Sequence, residues 1–173
     1  MPDEETLADI YEATDEIMNA ANIPAYEVSN YARAGGECRH NLAYWRYDDY
    51  IGIGPGAHGR FTENKKKYES ITLKSPEKWL ESVAAKGHGI NTLEALANES
   101  IAEEYLLMGL RIKEGINIKS FPEKTGYDLF EVINKNKLEN FVTEGLLELS
   151  ADHMRASKSG MLVLDKLTAE LLT

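Results

Sequence analysis

Leu7, Ile10, Tyr11, Thr14, Ile17, Met18 and Ala21 recur at helical spacing, with Asp3, Glu4 and Glu5 where the positive end of a helix dipole favours acids. The spacing predicts a helix of about four turns that ends at residues 22–24. Residues 25–29 then alternate like a short strand, and residues 30–41, with Gly35-Gly36 and few apolar positions, read as a loop. A helix and a strand with no partner strand before them have the texture of the last units of an α/β sheet or barrel, so the chain is expected to begin mid-domain. Residues 60–62 and 67–73 are expected to pair around a polar turn at 63–66. Ser75, Pro76 and Glu77 mark a helix start with Trp79, Leu80 and Val83 on its apolar stripe, and the stop falls near Gly87. Residues 87–93 show no clear period, which places a domain division there, between 1–89 and 90–173.

The second part reads as mostly helical. Ile101, Tyr105, Leu106 and Leu110 share one helix face, residues 118–124 suit a short helix, and Asp128 with Glu131 makes a capping box ahead of Leu129, Val132 and Ile133. Leu138, Phe141 and Val142 continue an apolar face to the C-cap Gly145. Residues 146–149 and 153–156 flank the turn Ser150-Ala151-Asp152 as a hairpin, before a last helix carrying Leu162, Leu164, Leu167 and Leu171. The expected fold class is therefore α/β: terminal strands and helices of an incomplete barrel, followed by a winged-helix-like domain.

Charge narrows the function. With 29 acidic against 19 basic residues the net charge is -10, which opposes binding of a polyanion, and Lys135 and Lys137 are offset by Glu131, Glu139, Glu144 and Glu148. The winged-helix outline is thus read as a packing or lid element with no nucleic-acid partner, and residues 65–67 as a solvated hairpin turn. The longest apolar stretches are a few residues and residues 1–5 lack a signal-peptide pattern, so no membrane insertion is expected and a cytoplasmic location is. One cysteine, Cys38, excludes an intrachain disulfide or a multi-cysteine metal site within these 173 residues.

Three ordered motifs carry a resemblance. YEVSNYA at 26–32, HNLAYW at 40–45 and GIGPGAHG at 52–59 are similar, in order and spacing, to the YEISNFA, HNxxYW and GxGxGAHG stretches of the oxygen-independent coproporphyrinogen III oxidase-like family. EYLLMGLRIKEG at 104–115, Gly145-Leu146-Leu147 and GMLVLD at 160–165 look like that family's C-terminal domain. The resemblance implies a radical-SAM (TIM-like) barrel in which CxxxCxxC holds a 4Fe-4S cluster that cleaves S-adenosylmethionine to a radical. It implies decarboxylation of coproporphyrinogen propionates in the oxidase branch. HNxxYW points instead to the branch regarded as haem chaperones, whose ligand is haem or porphyrin. No CxxxCxxC occurs here, so the chain reads as a C-terminal fragment, catalytically inert alone, whose partner is the missing N-terminal cluster domain.

Within that frame His40 is the candidate axial ligand to haem iron, with Asn41, Tyr44 and Trp45 beside it and the two rings offering flat apolar surface to a porphyrin. The competing readings make His40 a hydrogen-bonding strut and Tyr44 and Trp45 core anchors. Gly54 and Gly56 are the candidate contacts to S-adenosylmethionine in the full-length protein, against a tight turn that only glycine fits, and His58 reads as a buried, satisfied histidine. Two further functions stand beside haem handling: a non-catalytic docking or lid module, and part of a true decarboxylating oxidase. An exposed strand edge at residues 26–29 predicts dimerisation.

Overall fold

The computed structural model describes residues 3–173; Met1, Pro2 and the side chains of Glu4 and Glu5, read above as part of the acidic start, lie outside the described part. Helix α1 (Glu4–Ala20) is capped by Asp3, whose Oδ1 accepts from the Thr6 amide at 2.8 Å. The expected apolar face is only partly used. Tyr11 and Met18 are half-buried and Asp15 is buried, whereas Leu7, Ile10 and Ile17 are exposed.

Residues 25–29 do not form the expected strand. They make isolated bridges, Ala25 to Tyr31 and Glu27 to Ile112, in which the Val28 amide donates to the Arg111 carbonyl and the Lys113 amide to the Tyr26 carbonyl, both at 3.0 Å. The edge on which dimerisation was to rest is thus already paired within the chain. The loop expected through residue 41 also ends early, because helix α2 (Arg39–Trp45) starts inside it. No residue of α2 is buried, so its sequence shows no apolar stripe.

A three-stranded antiparallel sheet follows, built from β1 (His58–Glu63), β2 (Lys66–Thr72) and β3 (Ile90–Ala95) in that order. Asn64 and Lys65 both adopt positive φ, 49° and 63°, giving the hairpin a turn whose twist suits the strands. Helix α3 (Pro76–Lys86) joins β2 to β3; Ser75 caps it and Gly87 ends it in the left-handed region, as read from the sequence. Residues 90–95, which lack a period, are a strand whose exposed surface leaves no alternation to see.

The rest of the chain is helical with a second small sheet. Helix α4 (Asn98–Gly109), β4 (Ile116–Asn117), α5 (Phe121–Thr125), α6 (Leu129–Val132) and α7 (Lys135–Thr143) precede the hairpin β5 (Leu147–Leu149) and β6 (His153–Ala156); α8 (Lys158–Leu162) and α9 (Leu164–Leu171) close the chain. Strand β4 pairs on β6, giving the order β4-β6-β5, also antiparallel. The Asp128/Glu131 capping box forms, and the single last helix expected from the leucines is instead two, separated at Val163. The core is continuous across this half: Leu106, Leu110, Ile116, Phe121, Leu129 and Leu171 are wholly buried against one another. Among the described residues before position 101, Tyr47 is buried in this cluster, and Val28 and Leu96 pack against it.

Candidate functional site

The candidate residues lie on α2 and on the loop before β1. Cys38 occupies the N-cap of α2 without a side-chain cap bond, and its thiol is free and exposed. His40 is exposed, and among the described residues its ring makes no hydrogen bond, so the strut reading finds no partner. Tyr44, four residues on, shares its helix face. Asn41 Nδ2 donates to the Tyr26 hydroxyl at 3.3 Å, which ties α2 to residues 25–31. Tyr44 packs edge-on to Trp45 with ring centroids 4.9 Å apart and lies 5.3 Å from Tyr50. Neither Tyr44 nor Trp45 is a buried core anchor; both are half-buried, and Arg111 stands 5.6 Å over the Trp45 ring.

The structure therefore brings His40, Tyr44 and Trp45 together on one short helix, although not around an enclosed cavity. Trp45 alone of them lines a cleft of about 280 Å³, with Tyr105, Ile112, Glu114 and His153. Gly54 and Gly56 sit in the loop before β1 at φ 107° and 69°, and the Gly56 amide donates to the Leu73 carbonyl at 2.9 Å. Their glycine requirement is thus conformational. The sterically tight glycines are others: a Cβ on Gly52 would run into the His58 backbone, and one on Gly59 would meet Ser70 Oγ. His58 is exposed at the start of β1, which corrects its reading as a buried histidine.

What holds α2 in place was not foreseen. Its C-terminus is a Schellman turn, the Tyr47 amide donating to the Tyr44 carbonyl at 3.1 Å and the Asp48 amide to the Ala43 carbonyl at 2.9 Å. The left-handed position belongs to Tyr47 (φ 58°), where glycine or asparagine is usual. The strain is offset by what the ring gains. Tyr47 is 3% exposed, stacks on Tyr105 at 6.1 Å, and its hydroxyl donates to Glu104 Oε2 at 2.5 Å. Arg60 on β1 donates to the same carboxylate through Nε at 3.0 Å and Nη2 at 2.9 Å, and pairs with Glu69 at 2.9 Å. Lys67 donates to the Tyr47 carbonyl at 2.8 Å and stands 4.1 Å over its ring.

The electrostatics follow from this packing. Burial pushes Glu104 up, but the hydrogen bonds from Arg60 and Tyr47 outweigh it and hold the carboxyl below its ordinary value. Burial, then the bond to Glu104, pushes the Tyr47 phenol up, so it stays a neutral donor. The Glu104 bond also holds Arg60 firmly charged. A signal for the clamp existed: Glu104 sits at helical spacing among Ile101, Tyr105 and Met108, and an acid in an apolar stripe needs a cation.

Residues 96–163 match the family model described as the HemN C-terminal domain. A solved structure titled as the coproporphyrinogen III oxidase HemN from Escherichia coli, a radical-SAM enzyme, superposes with a TM-score of 0.71 over 99% of this chain and 42% of its own; at 14% identity it shows the fold alone. Mixed helices and small sheets arranged in this way therefore make a HemN-like fold. Together these likenesses support a HemN-like radical-SAM C-terminal segment. It is 35% identical over 99% of its length to the mouse mitochondrial radical S-adenosyl methionine domain-containing protein 1. It is 31% identical over 99% to the haem chaperone HemW of Mycobacterium tuberculosis, and it spans 40% of the length of each of these two relatives.

Proposed function

We propose that this chain is the haem-handling C-terminal segment of a HemW-like radical-SAM protein. One observation supports the reading above the others: His40 is exposed on α2, free of internal hydrogen bonds among the described residues, with the Tyr44 ring on the same helix face. A neutral imidazole so placed suits axial ligation of haem iron, and Tyr44 and Trp45 suit the porphyrin face. The donors present fit that ligand. They do not fit an iron-sulfur cluster, which needs several thiolates where the chain has Cys38 alone. Cluster and S-adenosylmethionine chemistry, with Gly54 and Gly56 as contacts to the latter, is assigned to the whole protein. A free exposed thiol suits a reducing compartment such as the cytoplasm.

The incomplete barrel and the winged-helix-like domain remain our reading of the two parts. Docking is the second function, favoured by Ile51 and Ile53, exposed at 75% and 87% beside the glycine loop. A haem titration of the purified chain, following the Soret band for wild type and His40→Ala, tests the choice. A stoichiometric, saturable shift that weakens at least roughly tenfold in the variant is the expected result. A featureless titration, or one indifferent to His40, overturns haem handling by this segment.

A further inference from the structure

The chain has six arginines, and four of them are held by carboxylates: Arg46 by Glu114 at 2.7 Å, Arg60 by Glu104 at 2.9 Å, Arg111 by Asp165 at 2.6 Å and Arg155 by Glu148 at 2.6 Å. The other two, Arg33 and Arg39, are exposed, and among the described residues their guanidinium groups make no ion pair or hydrogen bond. In a chain of net charge -10 carboxylates are in excess, so two arginines without one are a local departure. Both stand within seven positions of His40.

Helix α2 places Arg39 on the surface that carries His40. At about 100° per residue, Arg39, Ala43, His40 and Tyr44 fall on one arc of about 140°, and Asn41, Trp45 and Leu42 fall on the other side. Asn41 is bonded to Tyr26 and Trp45 lies under Arg111, so that other side is the inward one. Ala43, between Arg39 and His40 around the helix, is too short to screen one from the other. Arg33 opens a turn in which the Gly36 amide donates to its carbonyl at 2.8 Å, with Gly35 at φ 79°. The turn keeps Arg33 within about 7 Å of Gly36, and the three residues onward to Arg39 span at most about 11 Å, so the two long side chains can converge on one ligand. The one acid between residues 28 and 47 is Glu37. Arg46 in that stretch is already cancelled by Glu114, so Glu37 against Arg33 and Arg39 leaves one positive charge over.

We propose that Arg39 and Arg33 take the two propionate groups of the haem whose iron His40 ligates, so that the site recognises the porphyrin by its carboxylates as well as by its metal. The proposal rests on the haem-handling reading above. A guanidinium presents a planar fork of N–H donors that meets a carboxylate with two parallel bonds, and one edge of haem carries two carboxylates beside a flat apolar face. Tyr44 on the same arc suits that face and leaves the charged edge to the arginines. Both arginines are exposed, so each contact contributes modestly and is weakened by salt.

Titration of the purified chain with ferric haem and with its dimethyl ester, followed in the Soret band, tests it. Haem is expected to bind at least roughly fivefold tighter than the ester, a preference that shrinks as salt is raised. Arg39→Gln and Arg33→Gln, at exposed positions that folding tolerates, are each expected to weaken haem binding about three- to fivefold and to leave ester binding unchanged. Lys135→Gln, which removes the same charge from α7, is expected to change neither ligand. Circular dichroism establishes that each variant is folded. Equal binding of haem and ester, a preference that either arginine substitution leaves unchanged, or an equal loss in Lys135→Gln overturns the proposal, while a Soret shift that depends on His40 leaves the haem reading standing. A wild-type chain with no saturable shift overturns both.

Discussion

In the second half of the chain Leu106, Leu110, Ile116, Phe121 and Leu129 are wholly buried together, whereas in the first half Ile17, Ile51, Ile53 and Leu80 stand 69%, 75%, 87% and 61% exposed. The two halves are therefore held by different forces. Residues from 101 onward bury apolar surface against one another, the main source of folding free energy. Residues 3–95 bury one side chain, Tyr47, in that cluster, pack Val28 against it, and are tied on further by directed polar contacts: Arg60 to Glu104, Arg46 to Glu114, and Lys124 to the Arg46 carbonyl. The difference teaches that helix α2 is positioned by a few charged and aromatic contacts, so its geometry is open to small chemical changes.

The comparison breaks most visibly in the core. Leu106→Ala should cost about 3–4 kcal/mol, whereas Ile53→Ala should stay within about 0.5 kcal/mol, both read from urea unfolding at neutral pH. Equal losses would mean that the halves share one core after all. Tyr47→Gly comes next, at about 2–3 kcal/mol: glycine relieves the backbone but removes the buried ring and its bond to Glu104. Asn22→Gly, at the equivalent position of the turn that ends α1, should change stability by only a few tenths of a kcal/mol, about as little as an asparagine-to-glycine exchange at C′ allows. A neutral Tyr47→Gly would show that the ring contributes nothing to docking α2.

A further variant isolates the electrostatics. Glu104→Gln should cost about 1–3 kcal/mol at neutral pH by leaving Arg60 and Tyr47 without their carboxylate. Because the folded protein holds Glu104 below its ordinary value, its contribution is present above the unfolded pKa of about 4.3 and fades as pH falls through the folded one. The gap between wild type and variant should therefore narrow from pH 6 towards pH 3, measured as urea midpoints at each pH (roughly the range over which a carboxyl titrates). A gap that is constant with pH would assign the loss to packing instead of charge.

The features legible in the sequence were those written locally. The Asp128/Glu131 capping box, the Ser75 cap, Gly87 and Gly145 in the left-handed region, and the two hairpins are each specified by residues within a few positions of one another. What escaped lacked a local pattern. Helix α2 has seven residues and no buried face, and β3 is almost wholly exposed, so neither produces a period. The strand expected at residues 25–29 has the right alternation, but it pairs only by two isolated bridges, a local one to Tyr31 and a long-range one to Ile112. Of the candidate site, the residues of HNLAYW were legible by resemblance, and the clamp on them was not, since Arg60 and Glu104 are 44 positions apart.

Strand β3 ends at Ala95 and helix α4 begins at Asn98, with only Leu96 and Ala97 between, and the Leu96 amide is itself bonded to the Lys67 carbonyl at 2.8 Å. Such a splice has no slack. A tilt of the hairpin that carries Arg60 would reach α4 as the rotation of a stiff lever, with Glu104 about halfway along its shaft. Helix α2 and the helix that anchors the core are thus joined through Tyr47, Glu104 and Arg60 by short, rigid connections, with no flexible segment between them.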